Sequence, residues 1–246
     1  METNNEYNLK PTFGDSFGTG WRVMTDNFLR LLLVVFVTAI VTAPFKMMDW
    51  KFDASDLHNF SWDWVDNMDK VFSLASFGIF AAFFALLALL YTFLAAPVVE
   101  YGSDMIFVQA VRKIKPDFEL LIKGFWTNYL YIVLANLLVV ALVVLGCFAL
   151  IIPGIIIACR LAFVSYIVMD KKLDPIEAVE LSWKLTRGHG WTIFGMGFVS
   201  IFIILFGLIC FIVGIFPAII WVSSSFASLY QSTLIEKEKP VEVIAA

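Results

Sequence analysis

The sequence predicts an all-α membrane protein of six transmembrane helices, arranged as three helical hairpins with amphipathic helices at the membrane interface. The main observation is that three long stretches contain no Asp, Glu, Lys, Arg or His: residues 71–99, 124–159 and 190–235. An α-helix needs about 20 apolar residues to cross the hydrocarbon core of a bilayer. Uncharged stretches of this length are typical of membrane-spanning helices rather than of soluble cores.

The composition of the chain points the same way. Hydrophobic residues make up 61% and charged residues 15% of the 246 residues, whereas a soluble domain carries about 25% charged residues. The net charge of −4 argues against a nucleic-acid partner, because such proteins present a basic surface. Cys147, Cys159 and Cys210 lie in apolar stretches, and their spacing suits neither a zinc site nor a disulfide framework. We therefore expect reduced thiols, with no metal and no cofactor.

The two longest uncharged stretches must each turn once within the membrane. Pro153-Gly154 is the expected turn in the first, and Gly214 to Pro217 in the second, since proline is tolerated in the first turn of a new helix. We predict a single membrane domain, residues 1–246, with a disordered tail at 236–246. The predicted spans are residues 28–46, 71–96, 125–151, 153–170, 191–213 and 217–235.

The distribution of Lys and Arg predicts the orientation of this domain. With six spans, both termini and the connections 97–124 and 170–190 share one side, which then holds twelve basic residues. The other side holds three, namely Lys46, Lys51 and Lys70. The positive-inside rule therefore places both termini in the cytoplasm. A helix that starts at Pro97 and re-enters the membrane would change this count.

Two segments of the chain resemble each other and indicate an internal repeat. The segment from Pro153 to Arg160 is similar to the segment from Pro217 to Ser224, and Tyr166 then aligns with Tyr230. We interpret the chain as three units, each a surface helix followed by a helical hairpin. Repeats of this kind are common in transport folds, so they support a transport function as an alternative.

The predicted outer loop contains an amphipathic segment. Within residues 56–70, polar and apolar side chains each recur at the 3.6-residue period of a helix. Our main interpretation is a helix that lies on the outer leaflet. The alternative is a cation or partner site built on the five Asp between residues 53 and 69, although the spacing of a calcium-binding loop is missing.

A second amphipathic segment covers residues 174–188. It begins with Asp174-Pro175 and ends at Gly188, as helices commonly do. We interpret it as an interfacial docking helix at the cytoplasmic face, serving either as a docking or gating element or as a wedge that holds the hairpins together. The residues that mark this helix are Glu177, Glu180, Trp183, Lys184 and Arg187.

Arg160 is the strongest single candidate for binding a substrate or a lipid. It lies about 10 Å inside the predicted fourth span, where a cation costs at least about 2.5 kcal/mol. Glu100 and Asp104 are one helical turn apart and are the best candidates for its carboxylate partner. The three residues predict a site for an anionic headgroup or substrate, or a proton-linked pair. The alternative is a buried structural ion pair.

Several motifs between residues 95 and 195 resemble a known family. They include Pro97-x-x-Glu100-x-Gly102, Leu150-Ile-Ile-Pro-Gly-Ile155, Tyr166-Ile-Val-Met-Asp170 and Glu177-Ala-x-x-x-Ser182-Trp-Lys-Leu-Thr-Arg-Gly188. In this order they look like the membrane domain of some glycerophosphoryl diester phosphodiesterases and of related bacterial polytopic membrane proteins of unknown function. The resemblance implies a membrane architecture in the bacterial inner membrane. It carries over no catalytic residue, because the hydrolase of that family is a separate soluble barrel.

These observations favour a protein that is not an enzyme. With two histidines in the chain, no metal-assisted hydrolase site can be assembled, and no Ser-His pair falls within the spans. We therefore expect an accessory subunit or lipid-interacting platform that works with membrane lipids and with a membrane-protein partner or further copies of itself. The alternative is a transporter or channel for a small or amphiphilic solute, with Arg160, Glu100 and Asp104 along its path.

Overall fold

The computed structural model describes residues 9–46, 82–84, 86–209 and 214–244, and this part of the chain contains helices and no strand. The predicted outer-loop helix, with its five Asp, lies outside the described residues. The helices with defined bounds are α1 (Phe13–Asp26), α2 (Phe28–Lys46), α3 (Ala96–Val111), α4 (Leu120–Thr127), α5 (Tyr129–Ala149), α6 (Ile151–Arg160), α7 (Val164–Lys171), α8 (Pro175–Leu185), α9 (Gly190–Ile209) and α10 (Ile215–Ile244).

Among the described residues, four helical stretches are long and apolar enough to cross a membrane. They are Ala82–Val111, Tyr129–Ala149, Ile151–Lys171 and Gly190–Ile209. Helices α1 and α2 pass the same test when taken together, but the chain bends by 95° between them, as in a broken span or a re-entrant loop. The predicted all-α class is therefore confirmed, with four or five helices compatible with a multi-pass membrane protein.

Helix α10 lies at the centre of the bundle and packs against α1, α2, α3, α8 and α9. Its buried side chains include Ile220 and Tyr230 but also several small polar ones: Ser224, Ser225, Ser228, Gln231, Ser232 and Thr233. A helix surrounded by other helices can hold such residues, because their hydroxyl groups bond to the backbone of the same helix or to neighbours. The predicted sixth span is thus a helix, but its side chains are more polar than those of the four apolar stretches named above.

Helix α1 packs against α10 with little space between the two backbones. A Cβ atom at Gly20 would lie 2.8 Å from the backbone nitrogen of Ser225. The indole nitrogen of Trp221 donates a hydrogen bond of 3.0 Å to the carbonyl oxygen of Phe17. Only a glycine permits this approach, so Gly20 fixes the contact between α1 and the central helix.

The segment predicted as a connection between residues 97 and 124 is largely helical. Pro97 lies in the first turn of α3, where proline is tolerated because no intrahelical N–H is required there. The side chains of α3 are mostly buried, and burial on several sides stabilises this helix. Glu100 and Asp104 consequently lie inside the bundle rather than in a loop.

The tail predicted to be disordered from residue 236 instead continues α10 to Ile244. Glu236 Oε2 lies 3.3 Å from His189 Nε2, and Glu238 Oε1 lies 2.9 Å from Lys171 Nζ. These pairs join the end of α10 to the neighbouring segments. The sequence did not indicate them because the partners are distant along the chain.

The turn between α5 and α6 falls at Leu150, three residues before the predicted Pro153-Gly154. Leu150 has an extended backbone and donates its N–H to the carbonyl of Gly146 at 3.1 Å. Pro153 then occupies the first turn of α6, which is a favourable position for proline. A Cβ at Gly154 would lie 2.9 Å from the Cys147 nitrogen, so glycine allows the two helices to cross closely.

Candidate functional site

A polar cluster joins the ends of α3 and α7 to the middle of α10, and we call it the Arg112 cluster (Arg112, Asp170, Tyr230 and Gln231). The Arg112 guanidinium, just after α3, donates to both carboxylate oxygens of Asp170 at 2.6 and 2.7 Å. Its Nε donates to Gln231 Oε1 at 2.7 Å, and the Tyr230 hydroxyl donates to Asp170 Oδ2 at 2.9 Å. The cluster thereby connects α3, α7 and α10.

The Arg112 cluster has the features of a structural contact. The side chains of Arg112 and Asp170 are 19% and 10% exposed, and a two-pronged pair of this kind is among the stronger hydrogen-bonded arrangements. Burial acts to lower the pKa of Arg112, but the hydrogen bonds and charge of Asp170 outweigh it, and the pKa is raised. Arg112 therefore stays charged, with three of its N–H groups already used within the protein.

Aromatic rings pack beside this cluster. Tyr166 stacks on Tyr230 with ring centroids 5.2 Å apart and an angle of 16°, and Phe163 meets Tyr230 edge-on at 5.7 Å. Tyr166 and Tyr230 are the two residues that the internal repeat aligns. The structure thus brings two positions that the predicted repeat aligns into direct contact.

The span Ile151–Lys171 is interrupted at residues 161–163, directly after Arg160. The carbonyl oxygen of Arg160 accepts hydrogen bonds from Ser182 Oγ at 2.8 Å and from Thr186 Oγ1 at 3.3 Å. The backbone N–H of Phe163 donates to Ser182 Oγ at 3.3 Å. Because an unpaired backbone group is costly inside a membrane, the buried hydroxyls of residues 182 and 186 stabilise this break.

The Arg160 side chain does not form the expected pair with Glu100 or Asp104. All three residues are described, and no ion pair joins them. The Arg160 guanidinium instead lies 5.8 Å from the centroid of the Trp183 ring, as in a cation–π contact, and its buried Nη1 has no hydrogen-bond partner.

The docking helix predicted at residues 174–188 is α8. Its charged residues Glu177, Glu180, Lys184 and Arg187 are exposed, with 3.9 Å between Glu180 Oε2 and Lys184 Nζ. Asp174 is the N-cap residue of α8, but its side chain makes no capping hydrogen bond. The opposite face, with Ser182, packs on the interrupted span. Trp183 is 45% exposed, so the charged face and this ring lie at the surface.

Two neighbouring cavities open where α1 turns into α2. The first, the apolar groove, has a volume of about 560 Å³ and is lined by Phe28, Leu29, Leu32, Leu33, Phe36, Phe216 and Pro217. The second, the basic pocket, has a volume of about 280 Å³ and is lined by Asp26, Asn27, Arg30, Lys113, Ile114 and Lys115. They meet on the surface of α2, where Arg30 of the basic pocket and Leu33 of the apolar groove are three residues apart and therefore neighbours.

Sequence reasoning missed Arg30 as a site residue. It lies in the first turn of a predicted span, where a single cation is easily attributed to the membrane interface. Its neighbours in the pocket, Lys113 and Lys115, were explained by the positive-inside rule alone. A signal was present, since the predicted spans contain three basic residues, Arg30, Lys46 and Arg160, and only Lys46 is the last residue of its span.

No family model, curated protein or solved structure gives a significant match to this chain. The resemblance to the membrane domain of phosphodiesterases therefore stays a prediction from the motifs. Among the described residues, no three His, Cys, Asp or Glu side chains lie close enough together to hold a metal ion.

Proposed function

We propose that this chain is a non-enzymatic integral membrane protein that acts as a lipid-interacting platform or accessory subunit, together with a membrane-protein partner or further copies of itself. The observation that carries the proposal is the basic pocket beside the apolar groove. A phospholipid combines a charged headgroup with apolar chains, and it matches this pair of surfaces. The Arg112 cluster, by contrast, is used to hold helices together.

The exposed surface of the bundle supports the same proposal. Large side chains on several helices are almost fully exposed, including Trp126 (87%), Phe148 (86%) and Trp191 (86%). Exposed apolar surface of this extent is typical of contact with lipid or with another membrane protein. The tryptophans suit the headgroup level of a bilayer.

We further propose that the chain has six spans in three hairpins and lies in a bacterial inner membrane with both termini in the cytoplasm. Helix α10 supports the sixth span, because its 30 residues extend about 45 Å, enough to cross a bilayer. Its buried position explains its lower hydropathy. The excess of Lys and Arg on one side of the six-span arrangement supports the orientation.

Native mass spectrometry of the protein, purified from its own membrane in a mild detergent, tests this function. We expect the chain to carry a defined lipid, a stoichiometric second protein, or both. A partner would identify the chain as an accessory subunit, and a lipid alone would favour the platform. A chain that appears bare and monomeric under the mildest conditions would contradict both forms of the proposal.

The second candidate is a transporter or channel, and one observation favours it. The buried Nη1 of Arg160 has no partner, and it lies at the interruption of a span. Interrupted helices bind substrates in several transport folds. If this function is right, Arg160→Leu in proteoliposomes should abolish solute flux and leave lipid binding intact. If flux is unchanged in a folded Arg160→Leu variant, Arg160 has no transport role.

A further inference from the structure

We propose that the corner between α1 and α2 binds one anionic phospholipid, with the headgroup phosphate in the basic pocket and an acyl chain in the apolar groove. The inference rests on the proposed function and deepens it, since it names the lipid class and the residues that select it. Three kinds of observation carry it: the position of the two cavities, the charge of the pocket, and the length of the groove.

The two cavities have the arrangement of a headgroup and its chain. Asn27 and Arg30 line the basic pocket, whereas Phe28 and Leu29 line the apolar groove. Arg30 and Leu33 are three residues apart, so they are neighbours on the surface of α2. Arg30 lines the basic pocket and Leu33 lines the groove, so the polar and apolar walls meet at this pair. A phosphate held at Arg30 would therefore place its glycerol and chain at the mouth of the groove.

The charge of the pocket selects an anion. Its described lining has three cations (Arg30, Lys113 and Lys115) and one carboxylate, Asp26. In the described part of the chain, neither Arg30 nor Lys115 takes part in an ion pair. An exposed cation near a membrane surface attracts anionic lipid. A zwitterionic headgroup carries a cation of its own, which the cations of the pocket repel. We therefore expect it to bind more weakly.

The backbone at Lys113 shapes one wall of the pocket. Lys113 has a φ of 57°, in the left-handed region that favours glycine. It closes the end of α3: its N–H donates to the Ala110 carbonyl at 3.1 Å, and the Ile114 N–H donates to the Gln109 carbonyl at 2.9 Å. Glycine is usual at this position of a helix end. This turn places Lys113, Ile114 and Lys115 on one wall of the basic pocket.

The groove has the length of an acyl chain segment. It follows α2 from Phe28 to Phe36, which is about 12 Å along the helix, most of the roughly 15 Å of hydrocarbon in one leaflet. Its volume is also within the range of about 300–1,000 Å³ that is usual for small-molecule sites. One chain can therefore lie along α2 and reach Phe216.

Native mass spectrometry with added lipids tests the site. The wild-type chain is titrated with dioleoyl phosphatidylglycerol, with dioleoyl phosphatidylcholine and, as a headgroup alone, with glycerol phosphate. We expect preferential binding of one phosphatidylglycerol and none of glycerol phosphate. The double variant Arg30→Gln with Lys115→Gln should lose affinity roughly fivefold for each charge removed. Leu29→Trp should weaken the binding of both lipids by filling the groove.

A matched control removes the same charge elsewhere. Lys123→Gln with Arg187→Gln takes one lysine and one arginine from exposed positions outside the pocket and should leave the affinity unchanged. Equal losses in the two double variants would overturn the site, because overall charge would then explain the binding. Binding of glycerol phosphate as tight as that of the lipid would also overturn it.

Failure of the site and failure of the proposed function give different results. If wild-type protein binds no added lipid and retains none from its membrane, the lipid-interacting platform itself is contradicted. If it binds phosphatidylglycerol and the Arg30 and Lys115 variants bind it equally well, only the assignment to this corner is wrong.

Discussion

At the residue scale, two arginines inside the bundle differ in their hydrogen bonding. Arg112 makes three hydrogen bonds to Asp170 and Gln231, whereas Arg160 keeps a buried nitrogen without a partner. The sequence pointed to Arg160 because it stands alone in a long apolar stretch. It could not point to Arg112, which lies next to Lys113 in a basic segment and whose partners are 58 and 119 residues away.

We predict that Arg112→Leu lowers the free energy of unfolding by about 3 kcal/mol, because it leaves the Asp170 carboxylate buried without its partner. Reversible unfolding in mixed micelles would measure the change. Lys171→Gln is the matched control: its pair with Glu238 is mostly exposed, and we expect a loss below about 1 kcal/mol. Equal losses in the two variants would show that the Arg112 cluster is not a structural contact.

At the scale of the element, the sequence predicted helices better than it predicted where they break. The uncharged stretches and the proline positions located α5, the stretch Ile151–Lys171 and α9 within a few residues. The interruption after Arg160 carries no proline or glycine in residues 161–163, so no local signal announces it. Its stabilisation comes from Ser182 and Thr186 on α8, a tertiary contact that hydropathy cannot reveal.

Two glycines of α1 give a matched test of its packing on α10. Gly20→Ala should destabilise the protein by about 1–3 kcal/mol, since the new methyl group overlaps the Ser225 backbone. Gly18→Ala should be neutral or stabilising by up to about 1 kcal/mol, because nothing lies within 4 Å of its Cβ and alanine favours a helix. Thermal unfolding of both variants would decide, and similar effects would contradict the close packing.

At the scale of the whole molecule, the hydropathy of a helix does not tell how deeply that helix is buried in the bundle. Hydropathy identifies peripheral helices such as α5 and α9, whose large apolar side chains are mostly exposed. It underestimates α10, whose serines, threonine and glutamine are buried in the centre. The candidate lipid site was likewise beyond the sequence, because Arg30 and Lys115 meet only through the packing of α2 against α3.

The central claim is that the folded protein binds membrane lipid specifically. The most direct measurement is the Tm of the wild-type chain in nanodiscs of phosphatidylglycerol and, separately, of phosphatidylcholine. A ligand at 100 times its Kd stabilises a protein by about 2.7 kcal/mol, so we predict a Tm roughly 5–10 °C higher in phosphatidylglycerol. An identical Tm in the two lipids would contradict the account.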